Sequence, residues 1–197
     1  MIEKCADYIV TWLQKSEIIK ETDRELYWYA VYSLFLSLLP ILLATGFGLL
    51  MGCMKESLSI IIPFMIIRKF SGGYHTKKMQ SCFLISSILI WLCISLSLWV
   101  KFNWQFVIVI AIASVSLSIL SPIENINRSL NQKEKRQYKK TTIILLVIFL
   151  SVIGSCLFTG LENYAIGISI GITLTATLQY PCIIQNKISL QEKDREH

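Results

Sequence analysis

The sequence predicts an all-α integral membrane protein, with about six membrane helices following an N-terminal amphipathic surface helix. Two observations predict it. Charged residues make up 16 % of the 197 residues and apolar ones 54 %, and the mean hydropathy is +0.57; a soluble domain usually carries about a quarter charged residues. The charges are also clustered, since 81–100, 103–122, 141–161 and 163–186 contain no Asp, Glu, Lys or Arg. Runs of about 18 or more mostly apolar residues are long enough to span a bilayer as helices. A disordered chain and an ordinary soluble globule are both excluded by this pattern.

The first 28 residues carry six acids and no early apolar core, so they do not read as a signal peptide. Ile2, Cys5, Ala6, Ile9, Trp12 and Leu13 recur at helical spacing, with Glu3, Lys4, Asp7, Thr11 and Gln14 on the other side. That periodicity predicts an amphipathic helix on the inner membrane surface; packing against the protein's own loops is the alternative. The first strong apolar run is 30–52. The next, 58–67, is short and contains Pro63. Ten residues at ~1.5 Å each cover about half of a ~30 Å hydrocarbon core. Extension to Phe70 would add Arg68 and Lys69 as snorkelling ends, so this second segment is expected to be short, tilted or re-entrant. Four cleaner segments follow near 82–100, 104–120, 142–159 and 164–184. The chain thus divides into a surface helix (1–28), a polytopic membrane domain (29–184) and a charged tail (185–197).

Basic residues orient the segments. Arg68, Lys69, Lys77 and Lys78 lie in one connection, and Arg128, Lys133, Lys135, Arg136, Lys139 and Lys140 in the 121–140 loop. The opposite connections offer little beyond Lys55, Lys101 and Glu162. Lys and Arg accumulate on the cytoplasmic side, so both basic loops and both termini are expected inside the cell membrane, with six crossings. The net charge of +6 then serves topology and contact with the anionic inner leaflet rather than nucleic-acid binding.

Six cysteines are present, at 5, 53, 82, 93, 156 and 182. No CxxC or zinc spacing occurs, so neither a metal nor a disulfide framework is expected. Cys93 and Cys156 lie in apolar runs, where a thiol behaves as a small hydrophobe. Of two histidines, His197 ends the tail and His75 is internal, in the polar stretch Arg68-Lys-Phe-Ser-Gly72-Gly73-Tyr-His75-Thr-Lys77-Lys78-Met-Gln-Ser-Cys82. Seven residues on a straight helix rise ~10.5 Å, whereas a thiol–imidazole pair needs about 3–3.5 Å. A Cys82–His75 dyad therefore requires a turn or helix break, which Gly72-Gly73 permits. Cys82 would then sit in the first turns of the next helix, where the dipole, an imidazolium and Lys77 and Lys78 favour thiolate. Read as residues alone, the pair fits a dyad, a polar loop histidine, or a filler cysteine at a span boundary.

The arrangement Arg68-x-x-x-Gly72-Gly73-x-His75, six residues, then Cys82 resembles the signature of the accessory gene regulator B family, integral membrane cysteine endopeptidases of Gram-positive quorum sensing. Length, multi-span layout and a basic central loop extend the resemblance over the whole chain. The resemblance implies cleavage of the C-terminal part from a precursor peptide, and closure of the remainder into a thiolactone or lactone signal. It assigns Cys82 as nucleophile and His75 as base, with Arg68, Gly72 and Gly73 at the other motif positions, and no cofactor. The precursor, with an amphipathic N-terminal part and an acidic C-terminal part, suits a basic cytoplasmic face. A third group orienting His75 is open among Glu124, Asn125 and Gln80. The alternatives to an enzyme are a non-catalytic membrane scaffold and a small transporter; ionisable residues, which ion transport usually needs inside spans, are absent from the four later runs. Gly167 and Gly171 form a GxxxG, which serves either a homodimer or packing within one subunit.

Overall fold

The computed structural model describes residues 2–16, 18–72, 79–123 and 131–195, with side chains except at 2, 36, 79–82 and 185–195. Among these residues there are seven α-helices, one short 3₁₀ turn and no strand: α1 Ile2–Lys15, α2 Arg24–Leu50, α3 Met54–Ser71, α4 Met79–Trp99, α5 Trp104–Leu120, α6 Gln132–Phe158 and α7 Glu162–Arg195. The protein is an all-α membrane protein. One helix stands where each of the six apolar runs lies, and one where the amphipathic periodicity lies.

The chain forms two units, Met1–Leu43 and Ala44–His197, so the division falls inside α2. In the first unit, α1 separates apolar from polar residues more sharply than any other helix. It ends at Lys15, earlier than the 28 residues allotted to it in sequence. After the Glu21–Asp23 turn, the chain enters α2 at Arg24, whose guanidinium pairs with Asp7 of α1 at 2.7 Å. Trp28 and Tyr32 stack one turn apart, 5.1 Å between ring centres.

In the second unit, α3 and α7 form the axis. Helix α3 touches α4, α6 and α7, and α7 touches α3, α4, α5 and α6. The core gathers Ile67 of α3, Ala113 and Leu117 of α5, Leu146 and Ile153 of α6, and Ala165, Ile168, Ile172 and Ala176 of α7. The outer helices turn apolar side chains outward: Ile88 and Leu92 of α4, Ile112 and Ile119 of α5, and Val147 and Ile148 of α6 are all exposed. A water-facing surface does not carry apolar area of this extent; hydrocarbon is the solvent it matches. Helix α2 with its preceding turn, α6, and α7 as far as Ile184 are each long and apolar enough to cross a bilayer, and α4 and α5 contribute shorter apolar stretches, 83–99 and 104–120.

The second segment is one unbroken helix of 18 residues, about 27 Å at ~1.5 Å per residue. It is short, and it runs unbroken through Pro63. It is also deeply buried, with Ser57, Ser59, Ile60, Ile61, Pro63, Phe64, Ile67 and Ser71 all shielded. Its modest hydropathy follows from that position: small hydroxyl residues face other helices and find backbone acceptors, Ser57 on the Ala44 carbonyl and Ser59 on that of Glu56. The two glycines of α7 make the close approach. A Cβ on Gly167 would collide with the Ser59 hydroxyl, and one on Gly171 with the Ile60 carbonyl and the Pro63 ring. The GxxxG face is thus occupied within the subunit.

Two stretches read as loop or tail are helical. The basic run 133–140 forms the first turns of α6, started by Asn131, whose N–H donates to the Glu134 carboxylate at 3.0 Å. This is half of a capping box. The segment after Asn186 continues α7 to Arg195. Lys, Glu, Gln and Arg are good helix formers, and neither segment contains a glycine or proline.

Candidate active site

The end of α3 carries the first half of the motif. Arg68 and Lys69 occupy its last turn, where cations offset the helix dipole. The Arg68 guanidinium lies 5.3 Å from the centre of the Phe64 ring one turn back, a cation–π distance. Phe70 meets Tyr138 of α6 edge-on, 5.9 Å between centres. That contact brings the basic first turns of α6 to the same end of the bundle as Arg68 and Lys69. Two basic segments far apart in sequence therefore form one face.

Helix α3 stops at Gly72. Its N–H donates to the Arg68 carbonyl at 3.1 Å, and its φ is +76°, in the region that side-chain-bearing residues avoid. A Cβ there would also collide with the carbonyl of Ile123. Glycine at this position is thus required twice, by backbone angle and by contact. The Ile123 N–H donates to the Ser71 carbonyl at 3.0 Å, tying the chain just after α5 to the end of α3.

The remaining motif positions divide as follows. Gly73, His75, Lys77 and Lys78 lie outside the described residues, as do Glu124 and Asn125. Cys82 is the fourth residue of α4, in its first turn; its side chain, like that of Gln80, lies outside the described ones. Helix α3 ends before Gly72 and the next described helix begins at Met79; the turn that a dyad needs between His75 and Cys82 falls on a stretch outside the described residues.

Sequence reasoning missed Gln179. It is fully buried in α7, and its Nε2 donates to the Ser71 carbonyl at 3.3 Å and the Ser121 hydroxyl at 2.8 Å. It therefore joins α7 to the ends of α3 and α5 beside Gly72. The available signal was a carboxamide placed mid-way along a charge-free apolar run.

Other cysteines differ in setting. Cys53, in the turn between α2 and α3, is buried, and burial together with nearby Glu56 pushes its thiol pKa up. Cys93 and Cys156 are half-buried in α4 and α6, and Cys182 is buried in α7. All described cysteines are free. No group of three His, Cys, Asp or Glu side chains converges among the described residues. The described clefts lie away from the motif. One, lined by Lys55, Glu56 and the Gly160–Tyr164 stretch, sits at the opposite end of the bundle, and the other is an apolar groove between α5 and Tyr180. Neither holds a thiol or an imidazole.

Comparison with known proteins gives one family. The accessory gene regulator B family matches residues 3–180. A Clostridium perfringens (strain SM101, Type A) protein named AgrB-like is 28 % identical over 148 residues, 70 % of this chain and 69 % of its own. A second AgrB-like protein, from C. perfringens strain 13 (Type A), is 28 % identical over 147 residues, with the same coverage of both chains. No solved structure matches the chain.

Proposed function

Because the chain belongs to the accessory gene regulator B family, a membrane component of agr quorum sensing, we propose that it is a membrane-embedded cysteine endopeptidase that cuts a signal-precursor peptide and cyclises the remainder. The observation that carries the reading is the helix break at Gly72, held by its positive φ and by Ile123, between Arg68 and the His75–Cys82 segment of the family motif. Helix α3 thus ends before the pair, and the turn between His75 and Cys82 that avoids the ~10.5 Å rise of a straight helix is part of this reading.

In this reading Cys82 is the nucleophile and His75 the base. His75 takes the Cys82 proton, and the sulfur attacks a backbone carbonyl of the precursor. The C–N bond breaks, and the leaving amine receives that proton from His75. The N-terminal part of the precursor remains as a thioester on Cys82. A precursor thiol or hydroxyl then attacks the thioester, loses its proton to His75, and closes the ring, while Cys82 recovers the proton. Backbone N–H groups at the start of α4 are natural donors to the developing oxyanion. The basic face formed by α3 and α6 suits an acidic precursor segment and the anionic inner leaflet. Both termini and that face are cytoplasmic in this reading; labelling of Lys135 from outside intact cells would reverse the orientation.

The test is co-expression with the precursor peptide and mass analysis of the products. Cys82→Ser and His75→Ala should each abolish cleavage with normal membrane insertion, whereas Cys93→Ser and Cys156→Ser should cleave nearly normally. Wild-type processing by Cys82→Ser would favour a non-catalytic scaffold.

A further inference from the structure

Gln179 places a carboxamide in the last apolar span, fully buried. Its nitrogen lies 3.3 Å from the Ser71 carbonyl oxygen. A carbonyl can only accept, so the nitrogen must be the atom that faces Ser71, and the orientation of the amide is fixed. Its two hydrogens go to Ser71 and Ser121. Its oxygen is left buried with no partner. Buried polar groups are normally satisfied, and polar groups within membrane spans are commonly functional. An amide half-satisfied inside a span is poor material for stability alone.

We infer that Gln179 is a positioning residue for the peptidase, clamping the α3–α5–α7 junction from which the His75 segment departs; this rests on the function proposed above. The Ser71 carbonyl is held twice, by the Ile123 N–H at 3.0 Å and by Gln179. Gly72 follows directly. His75 is three residues farther on, so covalent geometry alone keeps it within about 11 Å of Gly72. Cys82 rides the first turn of α4 on the other side of that segment. Helix α7 touches α3, α4 and α5, and α3 also touches α4, so α7 braces both the helix that leads into the base-bearing segment and the nucleophile-bearing helix. Leucine at 179 would keep the volume and remove both donors, leaving Ser71 with a single bond and Ser121 without its donor. Misplacement of a reacting group by about 1 Å can cost a hundredfold in rate.

The experiment uses the full-length protein in liposomes with its precursor peptide. Single-turnover cleavage, KM, and the pH dependence of Cys82 alkylation by iodoacetamide are measured for wild type, Gln179→Leu, Ser121→Ala and the double variant. Gln179→Leu should slow cleavage at saturating precursor at least tenfold, with KM changed less than twofold. It should also move the Cys82 alkylation midpoint up toward the free-thiol value of about 8.5. Ser121→Ala should slow cleavage less. The double variant should be no slower than Gln179→Leu, because both changes remove the same bond. If Gln179→Leu does not insert, Ser121→Ala, which keeps the amide in place, must show the rate loss alone. Cleavage within twofold of wild type and an unshifted Cys82 profile in both single variants would overturn the inference. Normal cleavage by Cys82→Ser would instead sink the peptidase reading and this inference with it.

Discussion

Gly167 of α7 lies against Ser59 of α3 with no room for a methyl group between them. One turn on, Gly171 meets the Ile60 carbonyl and the Pro63 ring in the same way. In hydrocarbon, helices gain little from burying apolar area, and close backbone approach replaces it. The α3–α7 contact is therefore the joint on which the second unit is built, and it fixes α3, whose last turn carries Arg68.

Side chains at these glycines should loosen the joint. Gly171→Val forces a collision with backbone, which cannot rotate away, so the cost should reach or exceed the ~1–3 kcal/mol usual for overpacking. Gly167→Val meets a serine side chain and should cost less. Gly154→Ala in α6, with open space around it, should be neutral or slightly stabilising, since alanine favours helix over glycine by about 1 kcal/mol. Thermal melting in detergent, followed by size exclusion, checks the order. A Gly171→Val protein that melts at the wild-type temperature would show that the two helices do not meet there.

Gly72→Ala tests the helix break more locally. The positive φ costs a side-chain-bearing residue roughly 1–3 kcal/mol, and the new methyl group would press on the Ile123 carbonyl. Membrane insertion should survive, while precursor cleavage should fall at least tenfold as the chain beyond Ser71 is redirected. Cleavage assays on matched amounts of inserted protein decide this. Equal rates for Gly72→Ala and wild type would remove the break from the mechanism.

Thiol titration separates a structural cysteine from the proposed nucleophile. Burial and the charge of Glu56 both disfavour the Cys53 thiolate, so its folded pKa lies above the unfolded one. Between the two values the unfolded chain has lost its proton and the folded protein has not. Stability from this group is therefore present below the unfolded pKa of about 8.5 and declines as pH rises above it. Alkylation of Cys53 in the folded protein should accordingly be slow at pH 7–8 and rise only at more alkaline pH than a free thiol. Glu56→Gln should bring that rise to lower pH. Rapid labelling of Cys53 at neutral pH would contradict its burial.

How far the sequence foretold this fold depended on whether a feature was local. The six apolar runs each became a helix, because a stretch without charge in hydrocarbon must satisfy its own backbone. The helix break at Gly72 was equally legible, since a glycine pair beside a polar segment is a local signal. The central place of α3 was not. Its serines and proline lower its hydropathy, and in isolation they read as a weak span; only the glycines of α7, about 110 residues away, make a polar face suitable there. The helical starts and ends of α6 and α7 were missed for a different reason. Charge marks where a helix leaves the bilayer, not where it stops, and Lys133 to Lys140 are good helix formers. Gln179 was overlooked because one carboxamide leaves no periodic trace, and its partners Ser71 and Ser121 come from two other helix ends.

The last prediction separates cutting from ring closure. One thiol can do both only if the cut product stays attached to it, so a thioester on Cys82 must exist between the two steps. A precursor whose internal nucleophile is replaced by alanine leaves that thioester without an acceptor. It should accumulate, or leak to water as a linear peptide. The mass of the adduct should be that of the protein plus the truncated precursor, less one water. Hydroxylamine should release it, because thioesters yield to that amine and amides do not, and Cys82→Ser should carry no such adduct. Protein in detergent, mixed with the altered precursor, quenched in acid within seconds and weighed intact, gives the answer. Normal cleavage with no adduct at any quench time would mean that water, not a waiting thioester, takes the acyl group, and that the ring is closed elsewhere.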